Sequence, residues 1–208
     1  MLVEGIPGIG KSTLIDALIR RHVAEAPPRK LRTLVHLAQT HTYGPLAVRE
    51  DAGTLTVRDN VDHLGQITTF LEWLHASVQH PQHPSGYVLV DTLHLTHCLR
   101  PGVVRWTDVE EVDRRLAALG CKLLVLSAGD QVVRERTIHA RRETQFLSEY
   151  ARKFGNTSDE LHAHFMREGK VFAELYDRSA MPKLMLSNDG ALGDVLDEVD
   201  SFWRATER

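Results

Sequence analysis

Gly5, Gly10, Lys11 and Ser12 fall at the spacing G-x-x-x-x-G-K-[ST] inside the stretch EGIPGIGKST, residues 4–13. Each residue type has a physical job at that spacing. Gly5 opens the turn, and the further glycines let the backbone curl. The N–H groups of Gly8, Ile9, Gly10, Lys11, Ser12 and Thr13 then converge on an anion at the start of a helix. The Lys11 ammonium would neutralise β- and γ-phosphate oxygens, and the Ser12 hydroxyl would ligate Mg²⁺. An apolar run precedes the stretch and a helical periodicity follows it, which is the context this spacing requires. The chemistry predicted is nucleotide binding. What the loop leaves open is the destination of the terminal phosphate: water, a protein or a small molecule.

Other residues supply candidates for the rest of the reaction. Asp91 ends the apolar run GYVLVD (86–91), at the carboxyl edge of a strand, where ligands sit in open α/β sheets. There it can hold Mg²⁺ through water or accept a proton from an attacking hydroxyl. His94 and His97 follow at i+3 and i+6, one face if helix continues. They read either as a base, clamp or metal site or as hydrogen-bonded histidines, and the spacing is not a zinc pattern. Arg134, Arg136, Arg141 and Arg142 form a basic group that could place donors on a migrating phosphoryl group or be a solvated helix face. His41, Tyr43 and Arg49 are candidates for an acceptor pocket. Trp73, Trp106 and Trp203 read as core or edge packing rather than as base-stacking platforms. The 12 histidines show no coherent metal spacing.

Short apolar runs alternate with helical periodicities, which predicts a parallel sheet covered by helices. The runs are 1–4, 31–38, 86–91, 121–128 and 183–187. The first is peculiar, because only Leu2 and Val3 precede Glu4 in what would be the central strand. Helices are expected at 11–25, stopped by Pro27 and Pro28, and from Asn60, with Asp59 as N-cap and a stripe of Val61, Leu64, Ile67, Leu71, Leu74 and Val78. Another follows a Thr107/Glu110 capping box, with Gly120 as its stop. Helical segments run from Asp130 to about Leu175, broken near Gly155, where Thr157 and Glu160 form a further box. The last helix spans 191–205. Between Gln39 and Asp59 there is no clear periodicity, and so long an irregular loop suggests an acceptor segment.

Composition narrows the class. A chain of 208 residues, 42% hydrophobic and 25% charged, is most simply one globular domain. Its net charge of −3 provides no electrostatic footprint for nucleic acid or an anionic membrane. No run is long enough to span a bilayer. Cys98 and Cys121 read as reduced thiols, and the glycine loop begins where the apolar part of a signal peptide would lie. A cytoplasmic location is expected. A GTPase would carry Asn-Lys-x-Asp, which is absent, and an ATPase motor would place a second acid after Asp91, where Thr92 stands.

The EGxPGxGKST string with Glu4 before it, the length and the order of elements resemble the thymidylate kinases and related deoxynucleoside kinases. The segment QVVRERTIHARR (131–142) after the fourth strand is similar to their arginine-bearing lid. The resemblance in order covers nearly the whole chain, while residues 4–13 are its motif-specific part. It implies that Arg136, Arg141 and Arg142 contact ATP phosphates and the transferring group, and that Ser187–Asp189 border the adenine. Thr92 departs from the family's usual arginine, which speaks against thymidine monophosphate as acceptor.

The reading is a three-layer α/β P-loop NTPase fold with about five parallel strands, helices on both faces and a small helical lid at about 134–156. The expected activity is transfer of a phosphoryl group from ATP with Mg²⁺ to a small acceptor, foremost a nucleoside or nucleotide. Alternatives are an antibiotic or metabolite phosphotransferase on the same fold, and a nucleotide-binding regulator or slow NTPase. A homodimer is compatible with the sequence.

Overall fold

The computed structural model describes residues 1–24, 34–78, 87–99, 104–141, 145–155 and 157–205. β1 (Leu2–Glu4) leads through the glycine loop into α1 (Lys11–Ala24). β2 (Leu34–Leu37) is followed by two short helices, α2 (Gln39–Thr42) and α3 (Gly44–Asp51), and then by α4 (Val57–Val78). β3 (Tyr87–Asp91) precedes α5 (His94–Leu99) and α6 (Trp106–Ala118). β4 (Leu123–Ser127) runs into α7 (Asp130–Val133), a π-helical turn at Arg134–Ile138 and a 3-10 turn at His139–Arg141. α8 (Gln145–Phe154), α9 (Ser158–Arg178), β5 (Lys183–Ser187) and α10 (Leu192–Arg204) follow.

All five strands are parallel, in the order β2-β3-β1-β4-β5. β1 is therefore central despite its three residues, and Leu2 lies between Val90 of β3 and Leu123 of β4. Its length suffices because the ladder continues outside it: Val90 N–H donates to Met1 and Leu2 N–H to Lys122. In β4 the consecutive residues Leu123, Leu124, Val125 and Leu126 are all at most 2% exposed. Successive side chains point to opposite faces, so both faces of the sheet are covered by helices. α1 packs with α10, while α4, α5, α6 and α9 pack among themselves. The core runs through Ile15, Leu64, Val109, Leu116, Phe165 and Val199. This is the three-layer α/β arrangement of P-loop NTPases, as the alternation of apolar runs and helices predicts.

Several local expectations are corrected. Much of the segment 39–59 is helical rather than irregular. α2 and α3 span four and eight residues, too short to show a periodicity, and α3 begins with Gly44-Pro45, where proline's fixed φ suits the first turn. α4 starts before Asn60. Thr56 caps it, accepting from the Asp59 N–H, while the Asp59 carboxylate reaches back to the Thr56 N–H at 3.1 Å. Asp59 is thus the third helical residue, not the cap. α6 also starts early: the box is closed by Asp108, whose carboxylate accepts from the Arg105 N–H at 2.7 Å, and not by Glu110. The Thr157/Glu160 box forms as expected. Pro27, Pro28 and residues 31–33 lie outside the described residues.

Candidate nucleotide site

Three glycines of the loop take backbone angles that other residues resist: Gly5 at φ +142°, Gly8 at +83° and Gly10 at +104°. Space forbids side chains as well. A Cβ at Gly5 would stand 2.6 Å from the Leu126 carbonyl oxygen, and one at Gly10 2.6 Å from Asn188 Nδ2. That Asn188 amide donates to the Ile9 carbonyl at 2.7 Å, fastening the loop to the end of β5. From the π-helical turn after β4, Thr137 Oγ1 donates to the Pro7 carbonyl at 3.3 Å. Lys11 opens α1, and its Nζ lies back across the loop, donating to the carbonyls of Gly5 at 2.8 Å and Ile6 at 3.1 Å. Burial holds the Lys11 ammonium below the usual lysine range, against the opposing pull of the Asp91, Glu4 and Glu168 carboxylates.

The loop forms one wall of a cavity of ≈ 170 Å³. Gly5, Gly8, Gly10, Lys11, Ser12 and Thr13 line that wall. Asp91 and Thr92 come from the end of β3, Arg141 from the 3-10 turn after β4, and Glu168 and Phe172 from α9. Asp91 is 6% exposed; its carbonyl accepts from Thr42 Oγ1 and its carboxylate from Thr92 Oγ1, both at 3.0 Å. Thr92 sits at φ +68°, costly for a β-branched residue and characteristic of chain reversals at functional sites.

Directly after this reversal, Glu4 takes hold of the chain. Its buried carboxylate accepts from the N–H groups of Leu93 at 2.8 Å and Leu95 at 3.2 Å, and from Thr96 Oγ1 at 2.6 Å. Burial raises its pKa above the usual carboxylate value, although the His94 charge and these hydrogen bonds act the other way. Glu4 thereby ties the residue before the glycine loop to the first turn of α5, next to Asp91.

The structure gathers some of the sequence-selected residues and separates others. Lys11, Ser12, Thr13, Asp91 and Arg141 meet in one cavity. Ile9 offers only its backbone, because its side chain is 2% exposed. Arg136 does not line the cavity; its guanidinium donates to the Asn188 carbonyl at 2.7 Å, beside the loop. Arg134 pairs with Asp159 at 2.6 Å. Arg142 lies outside the described residues. His94 and His97 do not join Asp91. His94 Nε2 donates to the Asp113 carboxylate at 3.0 Å, and His97 Nδ1 lies 2.8 Å from Asn60 Oδ1, both fully buried. Trp106 is buried and Trp203 packs against the edge of the core, whereas Trp73 is 62% exposed and stacks on Phe70 at the surface.

Among His41, Tyr43 and Arg49, only Tyr43 reaches a second cavity of ≈ 310 Å³ that shares Gln39 and Tyr150 with the first. Its hydroxyl donates to Glu50. Arg49 pairs with Asp59, and His41 lines a separate shallow hollow with Phe70. No group of three or more His, Cys, Asp or Glu among the described residues could hold a metal ion. Ser12 and Asp91 are two hard oxygen donors on one cavity, a set that fits Mg²⁺, which usually keeps several waters and takes phosphate oxygens as further ligands.

Gln39, Tyr150, Glu168 and Phe172 were not singled out by sequence. His164, Glu168 and Phe172 recur at i, i+4 and i+8, a visible stripe of α9. Periodicity cannot say which cavity such a stripe faces.

Fold and cavity together define the class: a P-loop NTPase-like α/β protein with a glycine loop at the carboxyl edge of its central strand. Among solved structures, the chain is similar to YorR from Bacillus subtilis, determined in complex with phosphorylated GDP. The TM-score is 0.59 at 10% identity, covering 96% of this chain and 92% of that one. A likeness at that identity speaks to fold. No protein-family model and no curated protein matches the chain. No helix of the described residues is long and apolar enough to cross a membrane.

Proposed function

We propose that the protein transfers the γ-phosphoryl group of ATP, with Mg²⁺, to a small acceptor, foremost a nucleoside or nucleotide. The observation that carries this reading is the convergence of Lys11, Ser12, Asp91 and Arg141 on one cavity beneath the glycine loop. Phosphoryl transfer asks a protein for positioning and for cationic donors on the moving group, and little covalent chemistry. Backbone N–H groups of residues 8–13 would cradle the phosphates. Lys11 would exchange its two loop carbonyls for β- and γ-phosphate oxygens, and Arg141 would add donors to the equatorial oxygens. Ser12 and Asp91 would hold Mg²⁺, which supplies charge neutralisation across the β- and γ-phosphates. Arg136 is better placed to brace the loop carrying Asn188, where an adenine edge would lie. That a protein of the same fold was determined with phosphorylated GDP supports a nucleotide here. Two short helices after β2 and the arginine-bearing segment after β4 are suited to enclose an acceptor and exclude water.

The test is thermal unfolding with and without ATP and Mg²⁺. At about 100 times the dissociation constant, the ligand should stabilise the wild type by roughly 2.7 kcal/mol and Lys11→Ala scarcely at all. Equal stabilisation of both proteins would remove the loop from nucleotide binding. With γ-labelled ATP, the label should enter an organic product; label appearing only in free phosphate favours an NTPase instead.

A further inference from the structure

Thr92 is held in a conformation that its side chain resists, and the reaction described so far gives it no task. A β-branched residue at φ +68° stays there only where its surroundings over-determine it. They do so on both sides. The Thr92 N–H donates to the Val3 carbonyl at 3.0 Å, extending the ladder between β3 and β1. One residue on, the Leu93 N–H donates to the Glu4 carboxylate at 2.8 Å, and the Leu93 side chain is fully buried. The chain is thus pinned to Val3 and then to Glu4 as it reverses. Gly5 follows directly, and its carbonyl accepts from Lys11 Nζ at 2.8 Å. One short stretch of β1 therefore sets the positions of Lys11 and of the Asp91–Thr92 pair together.

In a strand that ran straight on, Asp91 and Thr92 would point to opposite faces of the sheet. The reversal instead brings the Thr92 hydroxyl to Asp91 Oδ1, to which it donates at 3.0 Å, and both residues line the cavity beside the glycine loop. Capping α5 would be the ordinary task of a threonine at this point. Glu4 performs it, accepting from the N–H groups of Leu93 and Leu95, and the Thr92 hydroxyl makes no bond to α5 among the described residues. Thr92 is 1% exposed, so its proton goes to Asp91 and not to water. Thr42 holds the Asp91 carbonyl from the other side at 3.0 Å. Among the described residues, Asp91 Oδ2 accepts from no group.

Resting on the reading of Ser12 and Asp91 as the Mg²⁺ ligands, we propose that Thr92 is a positioning residue for that ion. Its hydroxyl occupies Oδ1 and holds the carboxylate in one orientation, which leaves Oδ2 for the metal. Its left-handed backbone is the strain by which the fold brings that hydroxyl to Asp91. A ligand oriented in advance loses little freedom when the ion binds, and removing such an outer partner commonly costs roughly 10–100-fold in metal affinity.

The full-length protein is titrated with ATP by calorimetry, first in EDTA and then at a series of Mg²⁺ concentrations. Thr92→Val keeps the branched shape and the backbone preference and removes only the hydroxyl. Thr92→Ala removes the hydroxyl without an apolar branch beside Asp91, and Thr92→Ser keeps it. The Mg²⁺ concentration that half-maximally tightens ATP binding should rise about tenfold or more in Thr92→Val and Thr92→Ala, and stay within about threefold of wild type in Thr92→Ser. ATP affinity in EDTA should remain within about twofold in all three, because the glycine loop is untouched. An unshifted Mg²⁺ requirement in the two variants without the hydroxyl overturns the proposal. So does an equal shift in Thr92→Ser, which would make packing of the methyl group the cause, or an equal loss of affinity in EDTA. Lys11→Ala separates the two levels. If it abolishes ATP binding while loss of the Thr92 hydroxyl leaves the Mg²⁺ requirement unmoved, the nucleotide reading stands and the assignment of Thr92 falls. If Lys11→Ala binds ATP as tightly as wild type, the nucleotide reading fails and this assignment fails with it.

Discussion

Glu4 precedes the glycine loop and is buried at the centre of the molecule, so replacing it asks whether its charge or its accepting oxygens matter. Its carboxylate satisfies two backbone N–H groups, Leu93 at 2.8 Å and Leu95 at 3.2 Å, and the Thr96 hydroxyl at 2.6 Å. Glu4→Ala would strand both N–H groups in the interior, at about 1–3 kcal/mol each, and leave a void besides. The sum is about 4 kcal/mol, or about 8–16 °C in melting temperature for a chain of this size. Glu4→Gln keeps an oxygen for the two N–H groups and removes a charge that burial opposes. It should stay within about 1 kcal/mol of wild type at pH 7. The pH dependence has a definite sign. The folded-state pKa is raised above the usual carboxylate value of 4.5, so the stabilising protonated form is fully present below that value. Wild-type stability relative to Glu4→Gln should therefore fall as pH rises from 4.5 through the raised pKa, and level off above it. Thermal unfolding of the three proteins between pH 4 and 8 measures all of this. If Glu4→Gln is as damaging as Glu4→Ala, the charge does the work, as a counter-ion to Lys11, and the capping argument is refuted.

Arg136 and Arg141, both from the segment after β4, should behave differently. Arg141→Ala should lower kcat by about a hundredfold or more with little change in ATP affinity, because in the proposed reaction its donors would serve the moving phosphoryl group. Arg136→Ala should instead weaken ATP binding and lower stability by about 1 kcal/mol, because its guanidinium braces the Asn188 carbonyl; the opposite pattern would exchange their roles. Burial, with the charges of Glu4 and Asp108, pushes the Cys98 thiol up to about 12, and burial also raises Cys121. At pH 8 the Cys98 thiolate is about a thousandfold scarcer than in a free cysteine, partly offset by its greater nucleophilicity. Iodoacetamide should therefore label native Cys98 about fiftyfold more slowly than the unfolded chain, read by mass spectrometry, and equal rates would refute the burial argument.

Residues 4–13 carried the loop in their own types, because positive backbone angles at Gly5, Gly8 and Gly10 and a helix start at Lys11 are local properties. The parallel sheet was legible for a similar reason: short apolar runs between helical periodicities leave few other ways to cover both faces. β5 is legible to the residue, since Pro182 stands before KLMLS and the turn-forming Asn188-Asp189-Gly190 after it. Helices α2 and α3 were not legible, being shorter than the window a period needs, and the caps of α4 and α6 were each placed a few residues late. What sequence could not weigh was direction. Asp91, His94 and His97 lie close along the chain, yet the reversal at Thr92 and the Glu4 cap send His94 to Asp113 and His97 to Asn60. Conversely, Glu168 is 157 residues from Lys11 in sequence and shares its cavity, because α9 packs against α5 and β4 beside the loop. Sequence determined the local geometry of the glycine loop and the layering of the fold, since both follow from nearest neighbours and burial periodicity. Which carboxylates and arginines meet at that loop was decided only by tertiary packing, because it depends on how distant helices turn their faces once they share a core.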